Sequence, residues 1–229
     1  MKIKDMKGRT DNNSGYKRVF DNEELGSLIS KIQATVISNG SELERIILSK
    51  STTISNLETF IEDAEAGTQA NGTYICSKRV VQKSKKYSVK VNGKGIEPDL
   101  LIFIVEQHRI CKVIELKDGD TFDTKKSLGE RNNLETFKKE FGSKIPFTTS
   151  FYICSFNQND KKIIKEGFKN IFNEDEILTG QELCEILNIN YTEIINQRKI
   201  DAKDNLDYFI NELLKIDIIK NKINDKIKI

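Results

Sequence analysis

The chain has 229 residues, of which 37% are apolar and 31% charged, and its formal net charge is +2. That length suits one large domain around a single core, and the supply of Ile, Leu, Val and Phe excludes wholesale disorder. A net charge so near zero says nothing by itself about a nucleic-acid partner. The longest apolar run, residues 100–105, falls far short of the roughly 20 residues that cross a bilayer, so no membrane span is expected.

Residues 1–20 are polar and basic, with Gly8, Gly15 and an Asn-Asn-Ser cluster, and read as a loose arm. No apolar segment follows the basic start, so no secretory signal is expected and the reading is a cytoplasmic protein. Leu25, Leu28, Ile29, Ile32 and Val36 give residues 22–39 the rhythm of a helix, and Ser41 with Glu44 has the spacing of a capping box that opens a second one. Ser55 with Glu58 repeats that signature. Leu57, Phe60, Ile61 and Ala64 then make a short amphipathic helix ending near Gly67, with Glu62, Asp63 and Glu65 on its polar side.

The texture changes at Thr73. Residues 73–81 and 87–91 are β-rich, 92–95 read as a turn, and 99–105 and 110–116 read as strands separated by the polar residues 106–109, so the block is a meander. A polar stretch from Asp118 leads into a helix striped by Leu134, Phe137 and Phe141, and a further strand spans 148–156. Strand, helix, strand implies a parallel pair added to the antiparallel meander, hence a mixed sheet. Residues 161–172, 180–187 and 191–214 look helical, and 216–229 form a fraying helix or tail. The expected fold class is α/β: one domain over 1–229, a mixed β-sheet flanked by helices, with helical N-terminal and C-terminal parts.

Several chemistries are disfavoured. Cys76, Cys111, Cys154 and Cys184 are widely spaced, with no CxxC pair, and read as reduced, buried thiols. The single His108 argues against a zinc enzyme or a Ser-His-Asp hydrolase and reads as an exposed turn residue. No GxxxxGK[ST] sequence is present. Charge distribution says more than net charge: residues 66–96 contain no acid but carry Lys78, Arg79, Lys83, Lys85, Lys86, Lys90 and Lys94. Such a stretch fits two uses, neutralising phosphates or keeping a two-stranded ribbon soluble with a blunted edge.

The informative segment is Pro98-Asp99, the strand after it, and Glu115-Leu116-Lys117 at the end of the next. Carboxylates beside a sheet core are unfavourable unless a cation or hydrogen bonds compensate. Strand positions two apart share a face, so Glu115 and Lys117 project together. A four-residue connection at 106–109 would set Asp99 opposite Leu116 and away from Glu115. An odd-length connection or a bulge would set Asp99 opposite Glu115 or Lys117, and this second arrangement is the one expected. Two carboxylates so placed repel unless a divalent cation lies between them, and a hard oxygen site with few protein ligands suits magnesium. Such an ion activates water, with Lys117 orienting it and neutralising charge as a phosphodiester is attacked. Taken singly, each residue has an ordinary use: a turn Asp for Asp99, a same-face ion pair for Glu115 and Lys117.

Pro98-Asp99, fifteen intervening residues and Glu115-Leu116-Lys117 resemble the PD-(D/E)xK nuclease superfamily. The strand-hairpin-strand setting, the acidic helix before it and the helix-strand crossover after it are similar to that superfamily's core over about residues 41–170. The resemblance implies a restriction-endonuclease-like core, with Asp99, Glu115 and the Leu116 carbonyl as metal ligands and Lys117 as the catalytic lysine. Members often add an acid from the upstream helix, for which Glu62 is the candidate, with Asp63 beside it. A chain of this size without an ATPase motif looks most like a type II restriction endonuclease. That implies a Mg2+-dependent homodimer cutting both strands of double-stranded DNA, with a cognate DNA methyltransferase protecting host sites. Base or phosphate contacts would come from Lys78, Arg79, Gln82, Lys83, Lys85 and Lys86, or from Lys125, Lys126, Arg131, Asn132 and Asn133 in the polar loop 118–133. The rivals are a junction or repair nuclease with the same core, and a DNA-binding protein without catalysis.

Overall fold

The computed structural model describes residues 1–8, 15–119 and 121–227. In chain order the elements are α1 (Gly15–Phe20), α2 (Glu23–Ser49), α3 (Leu57–Ala66), β1 (Gly72–Ser77), α4 (Lys78–Lys83), β2 (Lys90–Val91), β3 (Lys94–Gly95), β4 (Leu100–Val105), β5 (Ile110–Lys117), α5 (Thr124–Gly142), β6 (Thr148–Ser155), α6 (Lys161–Gly167), β7 (Ile177–Thr179), α7 (Gly180–Leu187), α8 (Tyr191–Lys215) and α9 (Asp217–Ile227). The chain divides into two compact units: Leu43–Tyr191, and a helical unit of Met1–Glu42 with Thr192–Ile229.

The larger unit is built on a five-stranded sheet in the order β1-β4-β5-β6-β7. The first three strands pair antiparallel and the last three parallel, so the sheet is mixed, as expected. β4 is apolar throughout because both its faces are covered: Leu101, Phe103 and Val105 on one, Leu100 and Ile102 on the other, all buried. On the first face, α3 contributes Leu57, Phe60, Ile61 and Ala64, and α5 contributes Leu134, Phe137 and Phe141 to one core with Cys111 and Val113 of β5. Phe103 sits among Phe60, Phe141 and Phe147, with ring centroids 5.1–6.4 Å apart. All four cysteines are buried and free.

Several sequence-based expectations are corrected. Ser41 and Glu44 open no new helix; α2 runs unbroken through them, because Leu43 and Ile47 bury one turn apart and continue the apolar stripe. Residues 78–83 form α4 rather than the end of a strand, with Val81 buried as its one apolar anchor. Lys125, Lys126, Arg131, Asn132 and Asn133 lie on α5 rather than in a loop, since Asp123 caps that helix by accepting from the Lys126 amide at 2.8 Å. β7, three residues long, was too short to register as a strand. In the helical unit the N-terminus is not loose: the Met1 amine pairs with Glu42 and Asp201, each at 2.9 Å. The rest of the expected arm is α1 and the segment 9–14, which lies outside the described residues.

Gly180, at the start of α7, lies against the end of β6: a β-carbon there would overlap the Phe156 carbonyl and crowd the Tyr191 ring. Gly180→Ala should lower stability by ~1–3 kcal/mol, to be read from the urea midpoint at unchanged slope.

Candidate active site

The antiparallel ladder between β4 and β5 runs from Leu100↔Ile114 to Ile104↔Ile110. The connection is therefore the odd-length segment 105–109, and one step beyond the ladder Asp99 comes level with Glu115. Alternation then gives Asp99, Glu115 and Lys117 the same face as Leu101, Cys111 and Val113, at the point where the apolar core runs out. Asp99 is held from both sides. Its carboxylate Oδ2 accepts from the Leu116 amide at 3.0 Å, and its carbonyl accepts from the Lys78 amide at 3.1 Å, which ties it to the first residue of α4. The Leu116 side chain is buried on the opposite face.

Lys117 Nζ donates to Glu115 Oε1 at 2.6 Å and to Glu130 Oε1, from α5, at 2.9 Å. The three side chains are 13–21% exposed, so the cluster is largely desolvated. Burial pushes the Glu115 carboxyl up to about 7, Asp99 and Glu130 add to that rise, and Lys117 pulls against it. Burial acts to lower Lys117, but Glu115 and Glu130 together hold its ammonium above the ordinary lysine value. A cavity of about 280 Å³ opens beside this cluster, lined among others by Lys78, Glu97, Pro98, Glu115, Glu130 and Asn133.

Sequence reasoning missed Glu44. It is half-buried in the last turns of α2, and burial together with Asp99 raises its carboxyl, while Lys78 and Arg79 pull it down. Glu62 and Asp63 are exposed on α3, where Glu62 acts on Lys86; the upstream acid facing Asp99 is Glu44. The signal for Glu44 was its spacing from Ser41, which has a local explanation and hid the tertiary one.

The basic residues divide. Lys78 and Arg79 act on the acidic cluster, and Lys126 lies over the Phe122 ring, 4.8 Å from its centroid, while Lys117 lies 5.9 Å from the same centroid. Lys83, Lys85 and Lys86 are exposed around the end of α4, where the Lys85 amide donates to Glu58 and Lys86 lies over Tyr87. Lys125, Asn132 and Asn133 are exposed on α5. Arg131 is engaged elsewhere, in a two-pronged pair with Glu176 at 2.7 and 3.1 Å.

Five carboxyl groups, Glu44, Glu97, Asp99, Glu115 and Glu130, therefore gather with three cations, Lys78, Arg79 and Lys117, so acidic groups outnumber basic ones by two. Hard oxygen donors with that excess fit one divalent cation of the magnesium type, which keeps several waters and needs few protein ligands. Among the described residues no three histidine, cysteine or acidic side chains are grouped so as to hold a metal ion, so a cation here would rest on fewer protein carboxylates and on water.

The fold and this cluster define a mixed α/β protein whose central strands end in paired carboxylates beside a buried ammonium, a donor set suited to chemistry on a phosphate ester. The chain belongs to the type II restriction enzyme family. It is 56% identical over 223 residues to the type II restriction enzyme HhaII of Haemophilus parahaemolyticus, covering 97% of each chain. No family model matches, and no solved structure matches.

In metal-free buffer, Glu115 takes up a proton in the folded chain near pH 7 but in the unfolded chain only near ~4.3. Its contribution to stability is thus full below the lower value and lost as pH rises through about 7. Relative to the non-titrating Glu115→Gln, the stability of the wild type should fall as pH rises from acid to alkaline, measured by thermal melts in chelator.

Proposed function

We propose that this chain is a magnesium-dependent endonuclease of the PD-(D/E)xK superfamily that hydrolyses both strands of duplex DNA at a short specific sequence. The single observation that carries this reading is the β4–β5 register, which sets Asp99 level with Glu115 beside Lys117. The near full-length likeness to a type II restriction enzyme supports it from an independent direction.

In this reading Asp99, Glu115 and the Leu116 carbonyl hold Mg2+, with Glu44 in the place where the sequence pointed to Glu62. When bound, the cation supplies Lewis-acid stabilisation of the phosphate and a more acidic water. The chain's own residues do the rest. The Leu116 amide fixes one Asp99 oxygen, and the other would be available to a cation. Lys117, held by both Glu115 and Glu130, would keep Glu130 as a partner if Glu115 served as a metal ligand, and would present its ammonium to the attacking water and the scissile phosphate. Lys78, Arg79 and Lys126 draw the DNA backbone toward the cluster, supplying positioning rather than sequence information. The exposed Asn132 and Asn133 of α5 are candidates for base edges. Cutting both strands of a palindromic site calls for two copies related by a two-fold axis, so the working form is a homodimer, and a cognate methyltransferase shields host DNA.

Incubated with phage or plasmid DNA and magnesium, the wild type should give discrete fragments. Asp99→Ala and Lys117→Ala should slow cleavage by about 10²–10³-fold or more, read as single-turnover rates with unchanged melting behaviour. A smear, a preference for branched DNA, or full activity in either variant would overturn the assignment.

The two candidate acids separate in one comparison. Glu44→Gln should weaken magnesium-dependent cleavage by about 10–100-fold, partly recovered at high magnesium, while Glu62→Gln leaves the magnesium titration unchanged.

A further inference from the structure

Exposed apolar side chains are unevenly shared between the two units. Among the described residues, ten of the thirteen large ones lie in the helical unit, including Ile200, Leu206, Ile210 and Leu214 of α8. α8 has two distinct faces. Ile194 and Asp201 are buried, and Asn205, Tyr208 and Glu212 half-buried, at helical spacing along one side. The opposite side presents Ile200, Lys203, Asp207, Ile210 and Leu214, all exposed. These positions are separated alternately by three and four residues, the spacing of a seam that packs against another helix. Among the described residues neither Lys203 nor Asp207 has an ion-pair partner within the chain.

We propose that this face of α8 docks against the same face of a second copy of the chain, the two helices running antiparallel about a two-fold axis near residue 205. The occupant follows from the charge pattern. In the antiparallel register centred there, Ile200 meets Ile210 of the second copy, and Lys203 meets Asp207 of the second copy, with both pairs repeated by symmetry. A parallel pairing would set Lys203 against Lys203 and Asp207 against Asp207, which is repulsive. An antiparallel pairing displaced by one heptad would bury Asp207 against Ile210 with no counter-charge. Of these three pairings, only the register centred near 205 matches Ile200 with Ile210 and Lys203 with Asp207 in one self-complementary surface, with Leu214 at its edge opposite Asn196. The two ion pairs contribute little net affinity after desolvation; their role is to fix register and direction. The inference deepens the two-copy enzyme proposed above and rests on it, since it names the surface by which the copies meet.

Sedimentation equilibrium of the full chain tests it. The wild type should be a dimer. Lys203→Asp places two carboxylates face to face at each end of the seam, and Asp207→Lys two ammoniums; each alone should weaken dimerisation by at least about tenfold. The two exchanges combined should restore it. Circular dichroism should show all three variants as helical as the wild type, because both positions are exposed in the single chain. Ile210→Glu should give monomer by an independent route. A dimer indifferent to each of the three single substitutions would overturn this surface while leaving the two-copy reading intact. A monomeric wild type, in the presence and absence of DNA, would overturn both.

Discussion

The site depends on one strand register. Because β4 and β5 pair with residue numbers that mirror about 107, the last apolar pair, Leu100 and Ile114, is followed by Asp99 and Glu115 side by side. A slip of one residue would send Glu115 and Lys117 to the other face, into the layer occupied by Leu100, Ile102 and Ile114, where neither charge has a partner. The buried runs on both faces of β4 make that slip costly, so the hydrophobic pattern that stabilises the sheet also fixes where the charges converge. Packing and chemistry are set by the same alternation.

Gathering these groups is unfavourable in itself. Glu115 is driven toward protonation by burial and by its neighbours, and a desolvated ammonium at Lys117 needs counter-charge from two directions. Glu130 resolves a difficulty that the strand residues alone leave open. A divalent cation held by Glu115 would compete for the carboxylate that neutralises Lys117, and a lysine without any anion beside such an ion would be pushed away. With Glu130 arriving from α5, Lys117 keeps one partner in either state. The helix that covers the core with Leu134, Phe137 and Phe141 therefore also carries the residue that steadies the lysine, about one turn before Leu134.

Much of this was legible in the sequence because it follows from alternation and composition. The mixed sheet, the helical ends and the same-face placement of Glu115 and Lys117 all follow from short periodicities. What was not legible depends on contacts between segments far apart in the chain. Glu44 has a sufficient local explanation as a capping residue, and only the unbroken course of α2 frees it to face Asp99. Glu62 offered the right residue type on the right kind of helix, but α3 turns that side outward. The Val80-Val81 pair has strand propensity, yet the chain turns helical where the Lys78 amide bonds the Asp99 carbonyl. Arg131 reads as a groove-reading side chain until Glu176, 45 residues away, claims its guanidinium.

The acid-free stretch 66–96 shows how a single compositional feature separates in three dimensions. Its first cations, Lys78 and Arg79, end beside the carboxylates and lower the repulsion a phosphate would meet there. Its later ones, Lys83, Lys85 and Lys86, are exposed around the end of α4, with Lys86 over Tyr87. The cluster itself remains net negative. A polyanion approaching it is repelled unless a divalent cation is already present, because the three nearby positive groups do not match the five carboxylates. If the site takes the divalent cation proposed above, metal and DNA would be coupled through charge, each lowering the cost of bringing the other, while Lys78 and Arg79 act on Glu44.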